Sequence, residues 1–320
     1  MHQPAPGSES ASHAAPRFAL VLNQRAGAHG DAELRLRLVQ AFTREGVEPQ
    51  VFEAVDGRLD ALAQAAAASG AEVLVVAGGD GSFNTVANAV AGRPEPRPEL
   101  ALLPLGTFNH VARRHGIPLA LEEAVAVAVH GEARPLAAGE VNGALFFNNC
   151  CFGLYSSLIQ AREGHKKRFG RRRVVALASA LWTLLRPHAR RAVVLDLGHE
   201  RRRLRSSLVF VAANPLQLED VDAALARQVA DGALGLLSVR EVDAWRLLKL
   251  AWGAWREELS SLQEVFAQPL RQATLHVRAR RLPVVLDGEL RMLRTPLVLR
   301  RREGLLRLRA PVPEAAGPLA

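Results

Sequence analysis

Val73-Leu74-Val75-Val76-Ala77-Gly78-Gly79-Asp80-Gly81-Ser82-Phe83-Asn84 runs from an apolar segment straight into a cluster of glycines. Its first five residues are apolar and mostly β-branched, which describes a strand covered on both faces. Gly-Gly-Asp-Gly follows, and Ser82 to Val90 has a helical pattern. Glycines at such a crossover let the backbone adopt positive φ and approach a ligand closely. A helix starting there presents unpaired N–H groups and a positive dipole end, which suits a phosphate. Asp80 puts one carboxylate among those donors. A carboxylate beside a phosphate is repulsive unless a cation or a transferable proton lies between them, so the stretch points toward phosphoryl transfer.

Outward from this stretch, strands and helices alternate. Phe18 to Leu22 reads as a strand ending in Asn23-Gln24-Arg25-Ala26-Gly27, and Asp31 to Arg44 as a helix with Leu34, Leu38 and Phe42 on one face. Gln50 to Ala54 is a second strand, and Leu59 to Ala68 an alanine-rich helix closed by Gly70. Leu100 to Leu103 forms a strand running into Pro104-Leu105-Gly106-Thr107, with helices through Val111 to His115 and Leu121 to Val129. This alternation predicts an α/β domain with a parallel sheet. Its three glycine-containing loops all leave carboxyl ends of strands, where such sheets bind ligands.

Beyond residues 131–134 the texture becomes β-rich: Leu145 to Asn149, Ala192 to Leu197, Ser207 to Ala212, Leu234 to Val239, Ala273 to Val277, Leu282 to Leu286 and Leu297 to Leu299. A largely antiparallel second domain is expected. The division is a disordered tail at 1–16, a nucleotide-binding α/β domain at 17–132, a β-rich substrate domain at 133–310 whose last strand can return to the first, and a tail at 311–320. Two helices are expected within the β-rich half. Val174 to Leu185 is flanked by basic runs, and Trp245 to Phe266 carries Leu248, Trp252, Trp255, Leu259, Leu262 and Phe266 on one stripe. Such a stripe packs on the protein's own core or faces a membrane.

Composition narrows the partners. A net charge of +9 in 320 residues favours a polyanionic partner, either an anionic membrane surface or nucleic acid. Aromatic residues at 5%, with a single Tyr, disfavour base-stacking platforms and hence nucleic acid. The adjacent Cys150 and Cys151 suit buried packing rather than a disulfide, which predicts a reducing, cytoplasmic location. The first sixteen residues lack the pattern of a signal peptide, and no apolar run is long enough to span a bilayer. His110 and His115 lack the partners of a zinc site.

Gly78 to Asn84 (GGDGSFN), Pro104 to Arg113 (PLGTFNHVAR) and Leu286 to Leu290 (LDGEL) occur in that order over nearly the whole chain. Together they resemble the diacylglycerol kinase catalytic-domain family, which includes bacterial lipid kinases and sphingosine and ceramide kinases. The GGDG element alone is shared with NAD kinases and phosphofructokinase-like folds. No Gly-x-x-x-x-Gly-Lys-Ser/Thr loop is present.

The resemblance implies an ATP-dependent lipid kinase with an α/β nucleotide domain, a β-sandwich domain and an active site between them. It places Asn23 and Gly27 near ATP, and it makes Gly78, Gly79, Asp80, Gly81, Ser82 and Asn84 a phosphate cradle. Gly106 and Thr107 come to the same nucleotide, Thr107 through a hydroxyl and an amide at the start of its helix. Asp80 fits the Mg²⁺ and γ-phosphate network. Asp287 and Glu289, on alternate positions of one segment, can share a face; the resemblance makes Glu289 the proton acceptor and Asp287 an assistant or metal holder. Alone, Asp287-Gly288 reads as a hairpin turn. A structural Mg²⁺ is implied at Asp231 with the carbonyls of Gln228 and Ala233. The implied partner is a lipid at an anionic membrane surface, reached peripherally; a homodimer is compatible. Gln24, Thr85 and His110 depart from the family's usual Pro, Glu and Asp, and no glycine-rich stretch follows Asn214. The alternatives are a soluble NAD or nucleotide kinase and a catalytically weak, nucleotide-sensing membrane-binding protein.

Overall fold

The computed structural model describes residues 17–23, 31–54, 59–153, 191–206, 208–239 and 265–312. Gln24, Gly27, the helix expected at Val174 to Leu185, most of that expected at Trp245 to Phe266, and the tails at 1–16 and 313–320 lie outside them.

The first half follows the apolar periodicity closely. Strands β1 (Phe18–Asn23), β2 (Gln50–Ala54), β3 (Val73–Gly78) and β4 (Glu99–Pro104) alternate with helices α1 (Asp31–Arg44), α2 (Leu59–Ala67) and α3 (Asp80–Ala91). They form a parallel sheet in the order β2-β1-β3-β4. The chain leaves β1 toward β2 and then crosses back to β3, so the sheet's switch point lies between β1 and β3, where such folds open a crevice. Every residue of β3 is buried, as a strand covered by helices requires. Helices α4 (His110–Arg114) and α5 (Leu121–His130) complete this half.

From here one long strand ties the molecule together. β5 (Glu132–Val141) pairs antiparallel with β16 (Leu297–Ala310), and β16 also pairs parallel with β4 through Leu308 and Leu100. Leu306 and Leu308 pack into the core around β1, β3 and β4, whereas Leu297 and Leu299 pack into a second core. The sheet continues past β16 through β13 (Gln272–Val277) and β8 (Arg191–Asp196) to β9 (Arg201–Ser206). Against this extension lies a six-stranded antiparallel sheet in the order β12-β11-β10-β7-β14-β15. Its strands are β7 (Asn149–Gly153), β10 (Leu208–Ala212), β11 (Leu234–Val239), β12 (Val265–Leu270), β14 (Arg281–Leu286) and β15 (Glu289–Arg294). The second core, with Phe146, Val211, Leu236, Leu275 and Val284, fills the space between the two sheets. The architecture is thus an α/β layer with a mostly parallel sheet, followed by a β-rich sandwich. The first sheet serves both.

Four expectations need correction. The single strand expected at Leu145 to Asn149 is two: β6 (Ala144–Phe146) belongs to the first sheet and β7 to the second, with a corner at Phe147 and Asn148. Phe266, expected at the end of a helix, lies in β12. The helix expected from Ser82 begins at Asp80, with Gly79 as its N-cap. Asp287 and Glu289 do not lie on one extended segment. Asp287 (φ 48°) and Gly288 (φ 91°) form a two-residue turn joining β14 to β15, with Leu286 opposite Glu289. Two successive positive φ values suit the twist of a tight hairpin, and Asp-Gly adopts them readily.

Candidate active site

The two glycine loops touch. At the carboxyl end of β3, Gly79 packs directly on Gly106 beyond β4, so closely that a Cβ on either would meet the other's Cα. Leu105 N–H donates to Gly78 C=O at 3.0 Å, closing the seam. Asn109 (φ 50°) seals the second loop: its Oδ1 accepts the Gly106 N–H at 2.9 Å, and its Nδ2 donates to the Gly106 carbonyl at 2.9 Å. From the end of β1, Asn23 Nδ2 donates to Ser82 Oγ at 2.8 Å.

α3 has no side-chain cap at its N-terminus. Phe83 N–H already donates to Gly79 C=O, so the N–H groups without an intrahelical partner near the cleft belong to Asp80, Gly81 and Ser82. The cradle expected over Gly78 to Asn84 narrows to these three, and Asn84 leaves it. Its side chain is buried and turned away, donating to the Leu145 carbonyl and to Asp287 Oδ2, each at 2.9 Å. Gly78 lies beneath Ser82 rather than facing the cleft. Thr107 is exposed on the bend, three residues before α4 begins, rather than at the helix start.

Asp80 acts across the seam. Its two carboxylate oxygens accept the backbone N–H groups of His110 (3.1 Å) and Val111 (3.0 Å), so a residue of α3 caps the first turn of α4. The His110 ring stacks on the exposed ring of Phe108, centroids 5.5 Å apart. Burial, with Arg114 and Arg134 nearby, pushes His115 down to about 4.

Asp287 is a clamp. Oδ2 accepts from Phe147 N–H (2.7 Å) and Asn84 Nδ2 (2.9 Å); Oδ1 accepts from the N–H groups of Asn148 (2.8 Å) and Asn149 (2.9 Å). A carboxylate offers about four acceptor sites, and donors occupy all of them here. The metal-holding role expected of Asp287 therefore finds no open lone pair, and its work is to pin the β6–β7 corner to α3 and to the hairpin. Burial raises its pKa to about 6, against the four hydrogen bonds that pull it down.

Glu289 reaches the cleft. Its Oε1 would lie 3.3 Å from a Cβ built on Gly81, which puts the carboxylate beside the N-terminus of α3. Glu289 Oε2 is 3.5 Å from Arg291 Nη2.

Asp231, Gln228 and Ala233 lie together at the C-terminus of one helix. They end helix α6 (residues 223–230): Gly232 N–H donates to Val229 C=O at 3.2 Å and Ala233 N–H to Gln228 C=O at 3.0 Å, with φ 94° at Gly232. This is a Schellman cap. Among the described residues no three His, Cys, Asp or Glu side chains group as metal ligands.

Four residues not singled out from the sequence complete the site. Asn88 donates to Asn84 C=O and accepts Leu145 N–H at 2.8 Å, binding α3 to β6. The buried pair Asn148 and Asn214 is joined by Asn214 Nδ2 donating to Asn148 Oδ1 at 3.0 Å, which fixes the end of β10 against the corner. Arg291 bridges Glu289 and Asn84. For Asn88 the i, i+4 spacing from Asn84 was a readable signal, as was the i, i+2 spacing of Arg291 from Glu289.

Residues 17–141 match the model of the diacylglycerol kinase catalytic domain. A protein named "Probable lipid kinase YegS-like" from Pseudomonas aeruginosa is 47% identical over 118 residues, covering 36% of this chain and 38% of that protein. Its namesake from Yersinia enterocolitica is 33% identical over 153 residues, covering 47% of this chain and 51% of that protein. The chain thus spans about half or less of the curated relatives it matches. In structure it is similar to a diacylglycerol kinase of Bacillus anthracis, with TM-score 0.66 and 21% identity over 92% of this chain and 97% of that one. An NAD kinase of Archaeoglobus fulgidus in complex with ATP gives TM-score 0.50 and 12% identity over 91% and 93%. At such identities the likeness concerns the fold. Residues 17–141, which contain both glycine loops, are thus similar to the diacylglycerol kinase catalytic domain.

Proposed function

We propose that this chain is an ATP-dependent lipid kinase, transferring the γ-phosphate to a hydroxyl of a membrane lipid of diacylglycerol or sphingoid type. The observation that carries the reading is the position of the Glu289 carboxylate beside Gly81, at the N-terminus of α3. Phosphoryl transfer needs a positioned phosphate and a group that takes the acceptor's proton. The N–H groups of Asp80, Gly81 and Ser82 supply the first, with Asn23 and Gly106 shaping the loops around them. Glu289 supplies the second. The lipid oxygen bonds to the γ-phosphorus, the bond from that phosphorus to the bridging oxygen breaks, ADP leaves, and the hydroxyl proton passes to Glu289.

Magnesium fits as the ion that ATP brings, since Mg²⁺ commonly binds through substrate phosphates, water and one or two carboxylates; when bound it would neutralise phosphate charge. Among the described residues no three His, Cys, Asp or Glu side chains gather to hold a second ion. No described helix is long and apolar enough to cross a membrane. With a net charge of +9, the proposed encounter is peripheral, at an anionic membrane surface facing the cytoplasm.

The test is incubation with γ-labelled ATP, Mg²⁺ and separated lipid fractions, with NAD as a water-soluble competitor acceptor. Label in a lipid that disappears in Glu289→Gln supports the reading. Label in NAD alone, or in nothing, overturns it.

A further inference from the structure

Glu289 and Arg291 are two residues apart on β15, so their side chains leave the same face of the strand. β15 is an edge strand of the six-stranded sheet. On this face the apolar packing runs out: the cross-strand partners Leu286 and Val284 are fully buried, whereas the side chains of Glu289 and Arg291 are 46% and 30% exposed. Arg291 Nη2 lies 3.5 Å from Glu289 Oε2 and 3.4 Å from Asn84 Oδ1. Both contacts are long beside the roughly 2.7–2.9 Å of a charge-assisted hydrogen bond, and both use one nitrogen of a fork that has five donors.

The neighbouring charges show what the fork can serve. Asp80 is spent on the amides of His110 and Val111, and Asp287 on its four donors. Glu289 Oε1 faces Gly81, so the guanidinium beside Oε2 stands close to the N-terminus of α3. A phosphate seated there would be flanked on its open side by the Glu289 carboxylate and the Arg291 cation. Without the cation, a carboxylate and a phosphate would be opposed at short range in a partly desolvated cleft.

We propose that Arg291 binds the phosphoryl group being transferred, closing the anion site that the N-terminus of α3 begins and allowing Glu289 to approach it. The inference rests on the kinase reading above and assigns to it a residue outside its three motifs. Positive charge aimed at a migrating phosphoryl group acts most strongly where charge spreads over its oxygens.

The test is calorimetric binding of ATP and of ADP, with and without Mg²⁺ and without lipid, to the full chain, to Arg291→Ala and to Arg291→Lys. Arg291→Ala is expected to bind ATP about tenfold more weakly, close to 1.4 kcal/mol, and ADP as the wild type does. Arg291→Lys is expected to recover part of the ATP affinity. In turnover, kcat is expected to fall about 10²-fold with the KM for lipid unchanged. Equal ATP and ADP losses, or none, would overturn the assignment while leaving the kinase reading intact, provided that the wild type binds ATP. A wild type that binds neither nucleotide would overturn the kinase reading and this inference with it. A thermal melt of each variant separates unfolding from lost contact, because a merely structural Arg291 would affect both nucleotides alike.

Discussion

The backbones of Gly79 and Gly106 are in contact, so that a Cβ built on Gly106 would lie 2.6 Å from the Cα of Gly79. On its other side the same Cβ would meet Asn109 Oδ1 at 2.8 Å. Neither neighbour is the tip of a flexible side chain with room to move, because Asn109 holds both the N–H and the C=O of Gly106. Gly106→Ala is therefore expected to force the two loops apart, costing about 1–3 kcal/mol as overpacking does, and to weaken ATP binding. Gly92→Ala is the control, since Gly92 has φ −74° and a Cβ there would find nothing nearer than 3.6 Å. Urea melts of the two variants decide the matter: equal stability would mean that the contact can relax.

Asn88 links the halves of the site through the backbone of a single residue. Its Oδ1 accepts Leu145 N–H at 2.8 Å, while Leu145 C=O has both Asn88 and Asn84 as donors. Asn88→Leu keeps a donor on the carbonyl but strands the N–H of a buried residue. The expected cost is about 1–3 kcal/mol, with slower turnover because α3 loses its grip on β6. An unfolding free energy within ~0.5 kcal/mol of the wild type would show that the N–H finds another partner.

The first half was legible because its elements obey single periods. α1 and β2 have the boundaries that apolar spacing predicts, and β1, β3 and β4 differ from them by one residue at an end or two. The second half was not, and the reasons lie in particular residues. β9 reads Arg-Arg-Arg-Leu-Arg-Ser and buries only Leu204 and Ser206, so an edge strand resembles a solvated basic run. β16 crosses from one core to the other, and the polar stretch Arg300 to Glu303 between them breaks its apolar signal near Leu299. In the candidate site, the expectation that Asp287 and Glu289 share one extended segment did not hold. The aspartate lies in a turn of positive φ, so the period-two rule does not relate its side chain to that of Glu289. Asn148 and Asn214, which bind the corner, carry no charge or spacing that marks chemistry.

Glu289 is exposed enough that its replacement should not unfold the protein. Glu289→Gln keeps the shape and removes the proton acceptor. Its kcat is expected to fall about 10²–10⁴-fold, with ATP affinity little changed and the melting temperature preserved. Initial rates at saturating ATP and lipid provide the measurement. A variant turning over within about twofold of the wild type would remove Glu289 from the chemistry, since general-base contributions are far larger than that.

Asp287 sets two opposing effects against each other at one carboxylate. Burial raises its pKa from 3.8 to about 6, and the amides of Phe147, Asn148 and Asn149, with Asn84, pull it the other way. Because the folded value lies above the unfolded one, the unfolded chain binds fewer protons between them. Stability from this group is therefore fully present below pH 3.8 and is lost as pH rises through about 6. The whole gap corresponds to about 3 kcal/mol, of which about 2 kcal/mol falls between pH 4.5 and 7. Asp287→Asn removes this titration, so the stability of the wild type less that of the variant follows this group alone. Other titrating groups cancel in the difference between the two proteins. That difference is expected to fall by about 2 kcal/mol from pH 4.5 to pH 7, read from urea melts at each pH. A difference that grows with pH would mean that the four donors outweigh burial and that the carboxylate is held ionised in the fold.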